Sequence, residues 1–181
     1  GPPGAGKGTQ SQILVNKYKL YQVSTGDMLR EEINKNSLIG KKIITNMNDG
    51  KFVNDDIVNK LLENIIFDKT KKNKLIFDGY PRTINQAKNL EELLNKSNQK
   101  IDYIFFLNVH KDSIIKRIEK RKILEKRADD DEDTILKRYD TYMEVTKPVL
   151  DYFLKNDNFH EIDGSLKIHD ISQKIEEILR V

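Results

Sequence analysis

Gly1-Pro2-Pro3-Gly4-Ala5-Gly6-Lys7-Gly8-Thr9 opens the chain. Glycines at 1, 4, 6 and 8 leave a backbone unobstructed by side chains, so successive N–H groups can converge on phosphate oxygens while Lys7 reaches the terminal phosphates. Helical spacing follows over Gln10–Tyr18, which aims the positive end of a helix dipole at the same place. A merely flexible glycine linker has no use for a lysine at the head of a helix. The general form of this loop carries Ser or Thr directly after the lysine, whereas Gly8 stands there and the hydroxyl comes one later, at Thr9. Such a loop is normally fed by a buried strand. The expectation is therefore an apolar strand of about five residues ahead of Gly1, running through the middle of the sheet.

Working outward, Leu20–Ser24 reads as a short strand, and Asp27–Asn34, Gly40–Asn48 and Asn54–Phe67 carry helical spacing, the last with Asn54 as N-cap and Asp55 and Asp56 on the positive end of its dipole. Lys74–Asp78 is an apolar strand ending in a carboxylate, and Thr83–Leu94 is helical after the Pro81 break. Strand Asp102–Val109 and helix Ser113–Lys120 follow, then a charged stretch from Arg121 to Asp133. Thr134–Leu154 reads as a long amphipathic helix interrupted only by Pro148, before strand Phe159–Ile162 and a closing helix over Ile168–Leu179. Short apolar strands alternating with helices predict an α/β fold around a mostly parallel sheet.

Composition narrows the function. A chain of 181 residues makes one domain of ordinary size. Charged residues are 34% and hydrophobic ones 37%, yet the runs Leu75–Phe77 and Tyr103–Leu107 supply core strands and argue against disorder. The lack of cysteine excludes disulfides, thiol nucleophiles and cysteine zinc sites, and the histidines at 110, 160 and 169 have no metal-ligand spacing. No apolar run approaches the ~18 residues of a membrane span and no leader is visible. The net charge of +3 is spread along the chain, and no basic and aromatic residues interleave as a nucleic-acid patch would require. Only 7 of the 32 basic residues are arginines. Six of those seven, at 30, 82, 117, 121, 127 and 138, fall in the motifs below.

The run Gly6-Lys7-Gly8-Thr9-Gln10 resembles the loop of the nucleoside monophosphate kinases, and of the adenylate kinases among them. Ser24-Thr25-Gly26-Asp27-Met28-Leu29-Arg30 resembles their monophosphate-binding segment, and Asp78-Gly79-Tyr80-Pro81-Arg82-Thr83, with Gln86, the second one. Arg117 and Arg121 are similar to the pair before the lid, Arg127 with Asp129 and Asp130 to the residues closing it, and Arg138 to the arginine of the next helix. The resemblance implies a P-loop three-layer α/β/α fold with a parallel five-stranded sheet. Its core would be 1–23, 54–120 and 132–181, its helical monophosphate-binding insert 24–53 and its short lid 121–131.

The same resemblance implies reversible phosphoryl transfer from MgATP to AMP, giving two ADP. Lys7 and the loop residues Gly4, Ala5, Gly6, Gly8 and Thr9 would cradle the donor phosphates, with Arg117 and Leu166 near the donor base. Arg30 and Arg82 would hold the acceptor phosphate, and Arg121, Arg127 and Arg138 would close on the transferring group. A planar guanidinium can hold two phosphate oxygens at once, which suits a reaction driven by positioning and charge. Thr25 and Gln86 point to adenine in the acceptor site, walled by Lys51, Phe52 and Val53 and by the Gly79-Tyr80-Pro81 turn. Asp78 suits Mg²⁺ reached through water, and no structural zinc is expected.

Five residues, Lys122–Lys126, separate Arg121 from Arg127, leaving room for a short lid, although Glu125-Lys126 stands where short-lid relatives commonly have Ser-Gly. Related readings keep the mechanism with UMP or CMP as acceptor, or make the chain a non-catalytic nucleotide-binding regulator. The acids at Asp129–Asp133 read as helix-start and arginine partners, and Tyr139, Tyr142, Val145, Val149 and Tyr152 as the core face of one long helix. A cytoplasmic monomer acting on ATP, AMP and ADP, without nucleic acid or membrane, completes the expectation.

Overall fold

The structure, a computed structural model, describes the backbone of residues 1–125 and 132–179 and the side chains of 1–119 and 134–179. In chain order the elements are α1 (Lys7–Tyr18), β1 (Tyr21–Ser24), α2 (Thr25–Asn34), α3 (Leu38–Asn48), α4 (Asp55–Ile66), β2 (Leu75–Asp78), α5 (Ile84–Lys96), β3 (Ile104–Asn108), α6 (Lys111–Glu125), α7 (Glu132–Thr141), α8 (Lys147–Phe153), β4 (Phe159–Asp163) and α9 (Ile168–Leu179). Helix α1 begins at the loop lysine itself, three residues earlier than its spacing predicts, because Gly6 at φ 97° turns the chain directly into the helix. Side-chain oxygens cap four helices, at Asn54 as its sequence suggests and at three further positions. Ser24 accepts from the Asp27 N–H, Ser37 from Gly40, Asn54 from Asp56 and Thr83 from Gln86, each contributing about 1 kcal/mol.

Both strand pairs are parallel, as the alternation predicts. Tyr21 to Ser24 of β1 lie opposite Leu75 to Asp78 of β2, and Ile104 to Asn108 of β3 opposite Phe159 to Asp163 of β4. The expected single sheet of five strands differs from what the described residues form, which is two ladders of two strands each. Phe77 of β2 and Phe105 of β3 line the same cavity.

Two large apolar clusters hold most of the helices, and a smaller one of Ala87, Val149 and Phe153 packs α8 against α5. Val23, Ile43, Leu62 and Leu90 centre one among β1 and α2–α5, and Ala5, Leu14, Leu107, Ile118, Ile162 and Ile175 centre the other, under the opening loop. Each fully buried aliphatic side chain stabilises the fold by about 1.5–3 kcal/mol. The phosphate loop is thus seated on a packed base.

The long helix expected over Thr134–Leu154 is α7 and α8 joined by a π-helical turn at Tyr142–Thr146. Pro148 stands at the start of α8, and a proline both lacks an N–H and crowds the carbonyl four residues back, a conflict that a widened turn accommodates. Tyr142 and Val149 are buried as expected, but Val145 falls inside the widened turn and is exposed, which corrects its assignment to the core face. No helix among the described residues is long and apolar enough to cross a membrane.

Candidate active site

The loop is held from below. Gly4 has φ 78°, and a Cβ there would lie 2.8 Å from Cγ1 of Ile118 on α6, so only glycine lets the loop sit down on that helix. The Ala5 N–H donates to the Pro2 carbonyl at 3.2 Å, closing a tight turn. Ala5 itself is buried in the second cluster, so it offers a ligand only its backbone. Lys7 Nζ donates to the carbonyls of Gly1 and Pro2 at 2.9 and 2.8 Å, which holds the ammonium over the loop it serves. Thr9 is exposed on the first turn of α1.

Asp78, the last residue of β2, reaches the loop from the sheet. Its Oδ2 accepts from Gln22 Nε2 at 3.3 Å and lies 3.3 Å from where a Cβ on Gly8 would be. A side chain at position 8 would press on that carboxylate, so Gly8 keeps the close approach of Asp78 to the loop. Gln22 sits two residues before the β1 terminus and carried no signal in the sequence.

The residues that the sequence assigns to the acceptor side meet around Gly79, whose φ of 72° suits glycine. Its carbonyl accepts from Arg82 Nε at 2.6 Å and from Thr25 Oγ1 at 3.1 Å, tying the turn after β2 to the head of α2. The Arg82 guanidinium lies 5.6 Å from the centre of the Phe52 ring, within cation–π range. Arg30 Nη2 pairs with Asp27 at 2.5 Å and folds over Gly26, where an added Cβ would come within 3.1 Å of that atom. Gln86 is buried, with Oε1 accepting from the Arg82 N–H at 2.8 Å. The Tyr80 hydroxyl contacts Asn59 Oδ1 at 3.0 Å and the Gln86 carbonyl at 3.2 Å, and burial pushes its phenol above the ordinary range.

One cavity of about 950 Å³ is bordered by Lys7, Thr25, Arg30, Lys51, Phe52, Val53, Asp78, Gly79, Tyr80, Pro81, Arg82, Gln86 and Arg138. Within that wall Val53 is core, Phe52 supports Arg82, and Lys51 pairs with Asp49 at 3.0 Å. Arg138 reaches the cavity from α7, its Cγ lying 3.1 Å from where a Cβ on Gly50 would be. Lys7, Arg30, Lys51, Arg82 and Arg138, from five separate chain segments, therefore border one volume, an arrangement that concentrates positive potential where a polyanion would sit.

Arg117 lies apart from that volume. Its Nη1 donates to the Ala5 carbonyl at 3.3 Å and its Nη2 to the Gly164 carbonyl at 2.8 Å, bridging the loop to the turn after β4. That turn is itself held by the Gly164 N–H donating to Asn108 and by Ser165 donating to Asp163, a bond that holds the Asp163 carboxyl below its ordinary value. Leu166 packs against the second cluster. Arg121 and Arg127, with Asp129 and Asp130, lie outside the described side chains, although the backbone of α6 continues through Glu125.

The family model for adenylate kinase matches residues 1–158. The chain belongs to the adenylate kinase family. It is 45% identical to an adenylate kinase of Pelagibacter ubique over all of this chain and 97% of that protein, and 43% identical to one of Mycoplasma mycoides over 90% of this chain and 88% of that one. An adenylate kinase of a Nocardioides species is 34% identical over all of this chain and 95% of its own length. The Pelagibacter alignment spans 207 positions, so that relative carries residues with no counterpart in these 181, whereas the Nocardioides alignment spans 181.

The family's reaction is reversible phosphoryl transfer between ATP and AMP, its members use MgATP, and its fold is a P-loop α/β one. Against that reaction, the adenylate kinase motifs read from the sequence supply Lys7, Thr25, Arg30, Asp78, Arg82, Gln86 and Arg138 of the cavity wall, while residues outside those motifs, many of them apolar side chains of β2, β3 and the flanking helices, supply more than half of it. Three residues around it were missed: Gln22, Asn59 and Asp55. Asp55 was read only as a helix-dipole residue, yet its Oδ1 accepts from Gln86 Nε2.

Proposed function

We propose that this chain transfers the γ-phosphoryl group of MgATP reversibly to AMP, giving two ADP. The observation that carries the proposal is the single cavity bordered by Lys7, Arg30, Arg82 and Arg138 together with Thr25 and Gln86. Lys7 and the N–H groups of Gly4–Thr9 bind the donor's β- and γ-phosphates. Arg30 and Arg82 hold the acceptor phosphate, with Phe52 and the Gly79 carbonyl fixing the Arg82 fork. Arg138 from α7, with Arg121 and Arg127 of a short lid over 121–131, surrounds the group in flight. Lid closure excludes water from the γ-phosphate. No general base is required, because the attacking group is already an anionic phosphate.

Adenine of the acceptor lies between the Lys51-Phe52-Val53 wall and the Gly79-Tyr80-Pro81 turn, with its edge on Gln86. Thr25 steadies this site through Gly79. The donor base lies near Arg117 and Leu166. The donor at Asp78 fits magnesium: it is one carboxylate beside the loop, and Mg²⁺ keeps several waters while borrowing one or two carboxylates. Bound there through water, the ion would neutralise charge on the donor phosphates, and Asp78 would orient its water shell.

The two parallel ladders are read as parts of one five-stranded sheet, a reading supported by their shared cavity between β2 and β3. Its domains are those given by the motifs, a core of 1–23, 54–120 and 132–181, an insert of 24–53 and a lid of 121–131. The protein works as a cytoplasmic monomer on ATP, AMP and ADP, without nucleic acid. A phosphoryl-transfer assay supplying MgATP with AMP, UMP, CMP or GMP tests the reaction. ADP formation with AMP alone is expected; transfer to UMP or CMP in preference, or ATP binding without transfer to any acceptor, would overturn it.

A further inference from the structure

Gln86 is held at both ends of its amide. The Arg82 backbone N–H donates to Oε1 at 2.8 Å, and Nε2 donates to Asp55 Oδ1 at 2.5 Å. A backbone N–H can only donate and a carboxylate can only accept, so the two partners leave the amide a single orientation. Turning it over would break both bonds and set an N–H against an N–H and an oxygen against a carboxylate.

Asp55 is well placed for this task and for no direct one. It is the first residue of α4, while Gln86 lies in the first turn of α5, so the contact joins the heads of two helices 31 residues apart. Oδ2 of Asp55 accepts from Thr83 Oγ1 at 3.3 Å, and the same Oγ1 accepts from the Gln86 N–H at 3.1 Å, so the N-cap of α5 braces the arrangement. Gln86 borders the cavity, but Asp55 and Thr83 do not.

We propose that Asp55 is a specificity-determining positioning residue, which selects a 6-amino over a 6-oxo purine by fixing the orientation of the Gln86 amide. The inference rests on the reading of Gln86 as the adenine contact. An amide has two N–H donors and two lone pairs on its oxygen, so the two internal bonds spend one of each. The remaining lone pair can accept from an exocyclic 6-amino group and the remaining N–H can donate to N1 of an adenine edge. A 6-oxo purine presents the reverse order, an acceptor at position 6 and a donor at N1. It would face an oxygen with an oxygen and an N–H with an N–H unless the amide turned over, which Asp55 prevents.

The test is the ratio of kcat/KM for AMP to that for IMP, in the unaltered protein, Asp55→Asn, Gln86→Ala and the double variant. An asparagine can present either end to Gln86, so Asp55→Asn should lower the ratio by ~10-fold or more, through KM for the acceptor, with KM for ATP unchanged. In the Gln86→Ala background the same substitution should leave the ratio unaltered. A folded Asp55→Asn protein with its parent's ratio would refute the proposal. So would an equal fall in both backgrounds, because Asp55 would then act by another route. A Gln86→Ala protein that keeps its parent's ratio would sink the underlying reading of Gln86, a failure visible before Asp55 is touched. Should Asp55→Asn fail to fold, the nucleotide-free parent protein decides by NMR. One Gln86 side-chain N–H shifted downfield and exchanging slowly is expected, and two ordinary, fast-exchanging N–H signals would refute the proposal.

Discussion

Replacing Arg82 with alanine separates positioning from stability. Among the described residues, Arg82 Nε donates to the Gly79 carbonyl at 2.6 Å and the guanidinium rests 5.6 Å from the Phe52 ring centre. A hydrogen bond with a charged donor contributes about 1.5 kcal/mol at a partly buried position. At roughly 3 °C per kcal/mol for a chain of this size, the variant should melt about 4 °C lower. Its effect on turnover should be far greater. A phosphate-clamping arginine is worth ~10³ or more in kcat, about 4 kcal/mol at 1.36 kcal/mol per decade. Arg82→Lys should recover less than a tenth of the loss, since an ammonium cannot reproduce the planar fork that meets Gly79 on one edge and phosphate oxygens on another. Steady-state ADP formation at saturating MgATP and AMP, beside thermal denaturation of the same samples, reads both quantities. Turnover of Arg82→Ala within tenfold of the parent, at full stability, would refute the clamp. A fall in turnover matched by wholesale loss of folded protein would refute the separation of the two roles.

Three further outcomes follow from named contacts. Arg117→Ala cuts the bridge between the Ala5 and Gly164 carbonyls, and should raise KM for ATP by ~10-fold while leaving KM for AMP near its parent value; equal changes in both would sink the assignment of Arg117 to the donor side. Gly4→Ala forces a Cβ against Ile118 at a φ of 78°, costing about 2 kcal/mol or more, so its melting temperature should fall by at least about 5 °C, and an unchanged melt would contradict the seating of the loop on α6. Burial pushes the Tyr142 phenol up to about 12 from an ordinary 10.0. The unfolded chain therefore releases this proton first, and stability present below pH 10 should decline between pH 10 and about 12, by at most about 2 kcal/mol. Denaturant titrations of Tyr142→Phe should lack that part of the decline, and identical alkaline limbs would show that the phenol does not contribute.

What could be read in the sequence was local. The loop, the cap at Asn54 and the strand-helix alternation depend on residues within a few positions of one another, and the few arginines stood out because six of the seven fall in motifs. Arg30, Arg82 and Arg138, 108 positions apart at the extremes, border one cavity. Packing decided the rest. Gln10, which the sequence offers as part of the loop motif, is buried between α1 and α9, donating to the Ile168 carbonyl at 3.0 Å and accepting from Ser172 at 2.7 Å. Arg117 meets Ala5 across 112 residues, and Asp55 meets Gln86 across 31. Periodicity and capping record which face of a helix is apolar and where it starts, because those energies are local. Which buried donor finds which acceptor is settled only when the helices dock, since an unpaired polar group inside the fold costs about 1–3 kcal/mol and the chain must find its partner wherever packing puts it.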